Sequence, residues 1–436
     1  MKNIENFVNE LLTATENAPE LLLQDLCAIQ QHYSYIPENA VEILAGKLNL
    51  PAVQIYGVID FYSFLHRQAR GNFDILFSDN ITDRMLGNQS LIDSLCEKLD
   101  IEPGIPRIDG RVTVDMTSCT GICDQGPALL VNGMTVSGLN EERISKIAEL
   151  IEEDTPLSDW PASFFVVEDN IQRSDILLED KIINGSAIES LQKNGSDALL
   201  EMLEQSGLRG RGGAGFKTAL KWRFCRETEA EEHYVVCNAD VGEPGTFKDR
   251  ILLNSYADNV CEGMTLCAGI IGAKKGYIYL RGEYRYLLDD LERTLQKRRD
   301  ANLLGKNICG HEGFDFDIDI HLGAGAYICG EESSLIESLE GKRGIPRKRP
   351  PFPVTNGFCN QPTVVNNVET FVAAAKIAVF GADWYGSVGS NESTGTKLLS
   401  ISGDCARPGI YEYPFGVSIE QILEDCGAHD TQAVQV

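Results

Sequence analysis

Residues 207–216 read GLRGRGGAGF, five glycines in ten positions with Arg209 and Arg211 between them. So dense a run opposes helix and strand alike, because each glycine costs about 1 kcal/mol in a helix interior and weakens a strand. A loop is required here, and the residues around it limit its use. Gly210, Gly212 and Gly215 fit G-x-G-x-x-G, and Lys217-Thr218 nearly completes a triphosphate-binding loop. The dinucleotide form needs a strand directly before the first glycine. What stands there is DALLEMLEQ, apolar at helical spacing, with Gly207 placed as a terminator. The triphosphate form needs adjacent glycine and lysine, and Phe216 separates Gly215 from Lys217. Both motif readings fail. A plain surface loop and one wall of a cofactor site stay open. Arg209, Arg211 and Lys221 flank the glycines, with Phe216, Trp222 and Phe224 close behind. Bare backbone and cations suit an anion, and aromatic faces suit a planar ring, so this set points to a nucleotide or flavin.

A chain of 436 residues predicts roughly two to four domains. Residues 1–70 read as a helical bundle punctuated by Pro37 and Pro51. Residues 71–152 read as a small α/β unit: strand FDILFS, helix QSLIDSLCEKLDI, strand RVTVDM, a hairpin about Asn132-Gly133, and a closing helix EERISKIAELIEE. A linker is expected over 153–175. Over 176–390 strands (HYVVC, KKGYIYL, FDFDIDIHL) alternate with helices, which argues an α/β domain. Residues 391–436 read as a strand-rich unit whose last residues, ending at Val436, also read as a strand.

Three further stretches share the character of the glycine loop. CNADVGEPGTFKDR places Asn238, Asp240 and Glu243 at the carboxyl end of a strand, where α/β sheets bind ligands. GAGAYICGEESS opens a helix at Glu331 and Glu332, where carboxylates suit ribose or ribityl hydroxyls better than phosphate. PTVVNNVET offers the paired amides Asn366 and Asn367. The segment KRGIPRKRPPFP is basic in a chain of net charge −27, and reads either as a solvated loop or as a pyrophosphate clamp with Phe352 as stacker. No nucleophile triad, histidine cluster or paired-carboxylate arrangement appears, so the chemistry falls to a cofactor.

The charge of −27 opposes nonspecific binding to nucleic acid or to an anionic membrane. No apolar run approaches the roughly 18 residues of a membrane span, so no direct membrane insertion and a cytoplasmic location are expected. Of thirteen cysteines only Cys119 and Cys123, in SCTGICDQGP, share a ligand-like spacing, and no C-x-x-C occurs.

Taken together, GLRGRGGAGF, CNAD-x-GEPGTFKDR, GAGAYICGEE and PTVVNNVET resemble the flavin- and NADH-binding subunit of respiratory complex I and its relatives. IQQHYSYIPENA and CTGICDQGPA resemble that family's partner subunit, a helical bundle joined to a thioredoxin-like domain. The fusion is most similar to the diaphorase subunits of cytoplasmic NAD-reducing nickel–iron hydrogenases, with NAD-linked formate dehydrogenases second and complex I as a further alternative. The resemblance implies a Rossmann-like α/β domain binding FMN and NAD(H), followed by a β-grasp (ubiquitin-like) unit. It places FMN on Gly210, Arg211, Gly212, Lys221, Asn238, Asp240, Tyr327, Gly330, Glu331, Glu332, Asn366, Asn367 and Thr370. It places the nicotinamide nucleotide on Gly213, Phe216, Phe224, Glu243, Arg349 and Phe352. Implied partners are an iron–sulfur electron-transfer subunit and a hydrogenase or formate dehydrogenase module. A catalytically degenerate scaffold, or a nucleotide-binding regulatory module without flavin, are the readings from other classes.

Four departures from the family qualify this. Its 2Fe–2S site has two cysteine pairs; Cys119 and Cys123 match one, while Ser78 and Asp83 occupy the other, so no stable cluster is expected. Val241 stands where the family has Glu, and Arg349 where it usually has Lys. Losing a carboxylate and gaining a forked cation both favour a ribose 2′-phosphate, so NADP(H) is admitted beside NAD(H). The family's C-x-x-C-x-x-C segment for a 4Fe–4S cluster has no counterpart in these 436 residues, and the β-grasp unit is expected to be cut at Val436.

Overall fold

A computed structural model describes residues 4–436. Its centre is a four-stranded, all-parallel sheet of β6 (Tyr234–Ala239), β7 (Lys275–Leu280), β8 (Asp317–Leu322) and β9 (Thr363–Asn367), in the spatial order β8-β7-β6-β9. The chain builds outward in one direction through β6, β7 and β8, then returns to place β9 on the other side of β6. The carboxyl ends of β6 and β9 therefore border the point where the connections diverge, the crevice in which open α/β sheets bind ligands.

Both faces of this sheet are covered, as parallel strands require. Val235, Cys237 and Ala239 face one way, into a core with Val260, Met264 and Cys267 of the helix Ala257–Ile271 and Phe371 and Val372 of the helix Val368–Phe380. Val236, Tyr279 and Val365 face the other way, into a core shared with Leu335 and Ile336 of the helix Glu332–Leu339 and with the N-terminal helices. Those helices, Ile4–Ala14, Leu22–Tyr33, Glu38–Leu48 and Ala52–Ile59, are thus the second covering layer of the sheet. Gln24 Nε2 donates to Leu322 O at 2.9 Å, and Tyr62 Oη donates to Ser338 Oγ at 2.7 Å.

A second sheet has the order β2-β1-β3-β4, with β1 (Phe73–Ser78) parallel to β2 (Val112–Thr117) and antiparallel to β3 (Leu129–Val131), which turns into β4 (Met134–Val136). The turn residues Asn132 and Gly133 have φ of +50° and +81°, as the Asn-Gly pair anticipates. The helices Asn88–Leu99 and Glu141–Glu152 fill one core with this sheet.

Three expectations need correction. The span 153–175 is no free linker: Trp160 and Phe164 are buried in the core of the second sheet, and β5 (Ile171–Arg173) pairs in parallel with β11 (Gly409–Pro414). Proline and aspartate gave 153–163 a linker's composition, but its aromatics found apolar cover. The strand read at the C-terminus does not form: β10 (Thr396–Ile401) and β11 are antiparallel, the helix Ile419–Cys426 follows, and the residues beyond it are irregular. Finally, β8 begins at Asp317, not at Phe314, because Phe316 instead exchanges two hydrogen bonds with Gly305.

Candidate functional site

The glycine loop follows the helix Ser196–Gln205 and leads into the helix Thr218–Glu227. Its neck is closed by Gly210 N donating to Phe216 O (2.9 Å) and Thr218 N to Leu208 O (3.0 Å). Gly213 and Gly215 have φ of +121° and +64°, and a Cβ at either would meet nothing within 4 Å. Their backbone therefore faces open space, available to a ligand. The other side of the loop is pinned to β9 and its helix: Arg211 N donates to Thr370 Oγ1 at 2.9 Å, and a Cβ on Gly212 would approach Asn367 to 3.3 Å.

The helix after the loop carries two anchors. Trp222 Nε1 donates to Asn366 Oδ1 at 2.8 Å, and Lys221 Nζ donates to Val365 O at 2.6 Å and to Glu332 Oε2 at 2.7 Å. Glu331 caps the helix Glu332–Leu339 by accepting from Ser333 N and Ser334 N, both at 3.0 Å. Burial alone would raise its pKa, but those bonds and Arg349 outweigh it, so Glu331 is held ionised. Arg349 Nη1 lies 3.4 Å from both Glu331 Oε1 and Glu332 Oε1. Lys221 and Arg349 thus bracket a pair of carboxylates at the mouth of the crevice.

From the end of β6, Asn238 Nδ2 donates to Gly330 O at 2.8 Å, and a Cβ on Gly330 would lie 2.8 Å from Asp240 O. Asp240 is buried, and burial pushes its carboxyl up to about 8, so it stands as a neutral acid at pH 7. Tyr327, in the segment that follows β8, donates to Glu243 in the loop that follows β6. Phe216, Phe224 and Phe352 are each about half exposed. Phe352 lies three residues beyond Arg349 and is not tied to the others.

Two side chains go elsewhere. The Arg211 guanidinium turns away from the loop, 4.7 Å over the Phe415 ring and 3.8 Å from Glu369 Oε1, so only its backbone faces the crevice. Asn367 caps the helix Val368–Phe380 and is bonded by its two side-chain atoms to Glu369 N (3.0 Å), Lys248 Nζ (3.0 Å) and Asp249 Oδ2 (2.7 Å). Sequence reasoning missed this buried Lys248–Asp249–Glu369 support. Lys248 and Asp249 stand more than a hundred positions from Asn367 and Glu369, and no spacing rule links the two pairs.

The donors present decide which groups this chain can hold. For FMN they fit: open glycine backbone, the Lys221 cation, and Glu331 Oε1, a buried acceptor that among the described residues has the Arg349 charge 3.4 Å away but no hydrogen-bond donor. For a four-thiolate 2Fe–2S cluster they do not. Ser78, Asp83, Cys119 and Cys123 are all buried, and the Asn80 amide nitrogen stands among them, 3.0 Å from Ser78 Oγ, 2.5 Å from Asp83 Oδ2 and 3.5 Å from Cys119 Sγ.

This sheet order, with its glycine loop and acidic helix start at the crevice, defines an α/β cofactor-binding protein of the flavin and nucleotide class. Residues 203–376 match the Nuo51 FMN-binding domain and residues 8–152 the thioredoxin-like [2Fe-2S] ferredoxin. The chain is 41% identical over 427 residues to the alpha subunit of the NAD-reducing hydrogenase HoxS of Cupriavidus necator, spanning 95% of this chain and 71% of that one. An NADH-quinone oxidoreductase subunit of Escherichia coli is 47% identical over 230 residues, 52% of each chain. The crystal structure of an NAD+-reducing [NiFe]-hydrogenase in the air-oxidized state superposes with a TM-score of 0.87 at 42% identity, over 94% of this chain and 70% of that one. The chain belongs to the family of NAD-reducing hydrogenase alpha subunits.

Proposed function

We propose that this chain is the flavin- and nicotinamide-binding subunit of a hydrogenase-linked electron-transfer complex, exchanging hydride between NAD(P)H and FMN as a diaphorase. One observation carries the reading: the open glycine loop and the Lys221–Glu332–Arg349–Glu331 cluster meet at the carboxyl ends of β6 and β9. The family relationship supports it. Bound FMN would supply the two-electron chemistry, and the protein supplies alignment and electrostatics. The glycine backbone admits close approach, and Lys221 offsets anionic charge. Glu331 Oε1 accepts from a hydroxyl or ring N–H, and neutral Asp240 has a proton to donate. Phe216, Phe224 and Phe352 offer apolar faces to the nucleotide, and Glu243 is oriented for it by Tyr327.

The remaining assignments belong with this reading: FMN and nucleotide contacts at the residues named above, domains over 1–70, 71–152, 176–390 and 391–436 with the last a β-grasp unit, an iron–sulfur subunit and a hydrogenase module as partners, and the cytoplasm as location. Among the described residues no helix is long and apolar enough to cross a membrane. The visible spectrum of the purified chain tests the reading. Flavin bands that bleach on adding NADH are expected. Flavin that fails to bleach would mean a scaffold, and nucleotide binding without flavin would mean a regulatory module.

A further inference from the structure

Cys119 and Cys123 sit on the loop between β2 and β3, with their sulfurs 3.4 Å apart and both side chains buried. The loop is held from outside its own domain. Arg250 Nη2 lies 2.6 Å from both carboxylate oxygens of Asp124, Arg281 donates to Cys119 O at 2.5 Å, and Tyr284 Oη donates to Gly121 O at 3.4 Å. Nitrogen donors converge on one of the two sulfurs: Gly121 N at 3.4 Å and Asn80 Nδ2 at 3.5 Å from Cys119 Sγ. The Gly245 N–H, in the loop that carries Glu243, also faces the pair. A disulfide needs an S–S distance of about 2.05 Å, and this pair already stands in van der Waals contact at 3.4 Å.

We propose that Cys119 and Cys123 form a redox-active dithiol, oxidised to an intramolecular disulfide by hydrogen peroxide or a similarly small peroxide. Asn80 fills the space among the four positions, which leaves the sulfurs to react with each other. Cys119, singled out by its donors, attacks one peroxide oxygen. The O–O bond breaks, an S–O bond forms, and the departing oxygen leaves as water with the thiol proton. Cys123 sulfur then displaces hydroxide from the Cys119 sulfenic acid, forming the S–S bond, and its proton leaves with that hydroxide as a second water. Two electrons pass from sulfur to peroxide, two thiols and one peroxide giving one disulfide and two waters. No flavin takes part, so the step stands or falls apart from the proposed hydride exchange.

The test uses the whole chain, reduced, freed of reductant, treated with hydrogen peroxide and alkylated after denaturation. Trypsin leaves Cys119 and Cys123 as the two cysteines of one peptide, Val112–Arg143. Peptide mass spectrometry is expected to show that peptide lighter by two hydrogens and refractory to alkylation, with full reversal by dithiothreitol. In Cys123→Ser, a 1,3-diketone is expected to trap Cys119 as its sulfenic acid. Both cysteines still alkylated at a dose that oxidises the exposed Cys359 would overturn the proposal. So would about two irons and two acid-labile sulfides per purified chain, with both thiols released only on acidification.

Discussion

Trp222 Nε1 donates a 2.8 Å hydrogen bond to Asn366 Oδ1, tying the helix after the glycine loop to the carboxyl end of β9. Trp222 is wholly buried and Asn366 nearly so. Trp222→Phe strands that acceptor, a loss of about 1–3 kcal/mol, and also gives up part of the buried indole's packing. Lower thermal stability together with weaker flavin retention is expected, read by calorimetry and by flavin recovered on ultrafiltration. A stability loss with flavin affinity unchanged would mean that the bond serves the core alone.

Lys221 is the cation that the helix presents to Glu332, and both are largely shielded from solvent. Lys221→Met keeps the stem and removes the charge. FMN affinity is expected to fall by roughly ten- to a hundredfold, about 1.4–2.7 kcal/mol. Equilibrium titration of the flavin-free chain gives the constant, and an unchanged value would remove Lys221 from the site.

Arg349 is shared between Glu331 and Glu332 at 3.4 Å, and Val241 leaves the neighbouring loop without a carboxylate at that position. Both features lower the barrier to a ribose 2′-phosphate, so NADPH is expected to bleach bound flavin within about a thousandfold of NADH, or about 4 kcal/mol. Val241→Glu is expected to depress the NADPH reaction at least tenfold more than the NADH reaction, by like-charge repulsion. Stopped-flow bleaching with each nucleotide measures the ratio.

Asp25 is fully buried in the helix Leu22–Tyr33, and among the described residues only Thr15 offsets the burial of its carboxyl. Burial raises its pKa from 3.8 to about 7. The native state then holds a proton that the unfolded chain has lost, so this group's contribution to stability falls as pH rises from about 4 to about 7. Asp25→Asn, neutral throughout, should leave the melting temperature little changed at pH 4 and raise it relative to the parent at pH 8. A difference that does not grow with pH would show that Asp25 does not titrate in that window.

Three of the four central strands and the whole second sheet were legible in the sequence because they follow from local periodicity, as in the near-continuous apolar run of HYVVC and the Asn132-Gly133 turn; β9 and the helices Ala257–Ile271 and Val368–Phe380 that cover the sheet were not read. The constellation was legible too, since glycine, amide and carboxylate lie at strand ends and helix starts in short contiguous stretches. The residues themselves also determined that Cys119 and Cys123 lack a second cysteine pair. Only the tertiary structure decided how side chains were spent. Arg211 faces Glu369 and Phe415 instead of the crevice, Asn367 is consumed by its helix cap and by Lys248 and Asp249, and Asn80 enters the space among Ser78, Asp83 and Cys119. The same holds for the stretch read as a linker, which packs Trp160 into one core and pairs Ile171 with a strand more than two hundred residues away. Periodicity acts over a few residues and is written in order along the chain. Burial and charge pairing act over a few ångströms, between groups whose separation in sequence carries no signal.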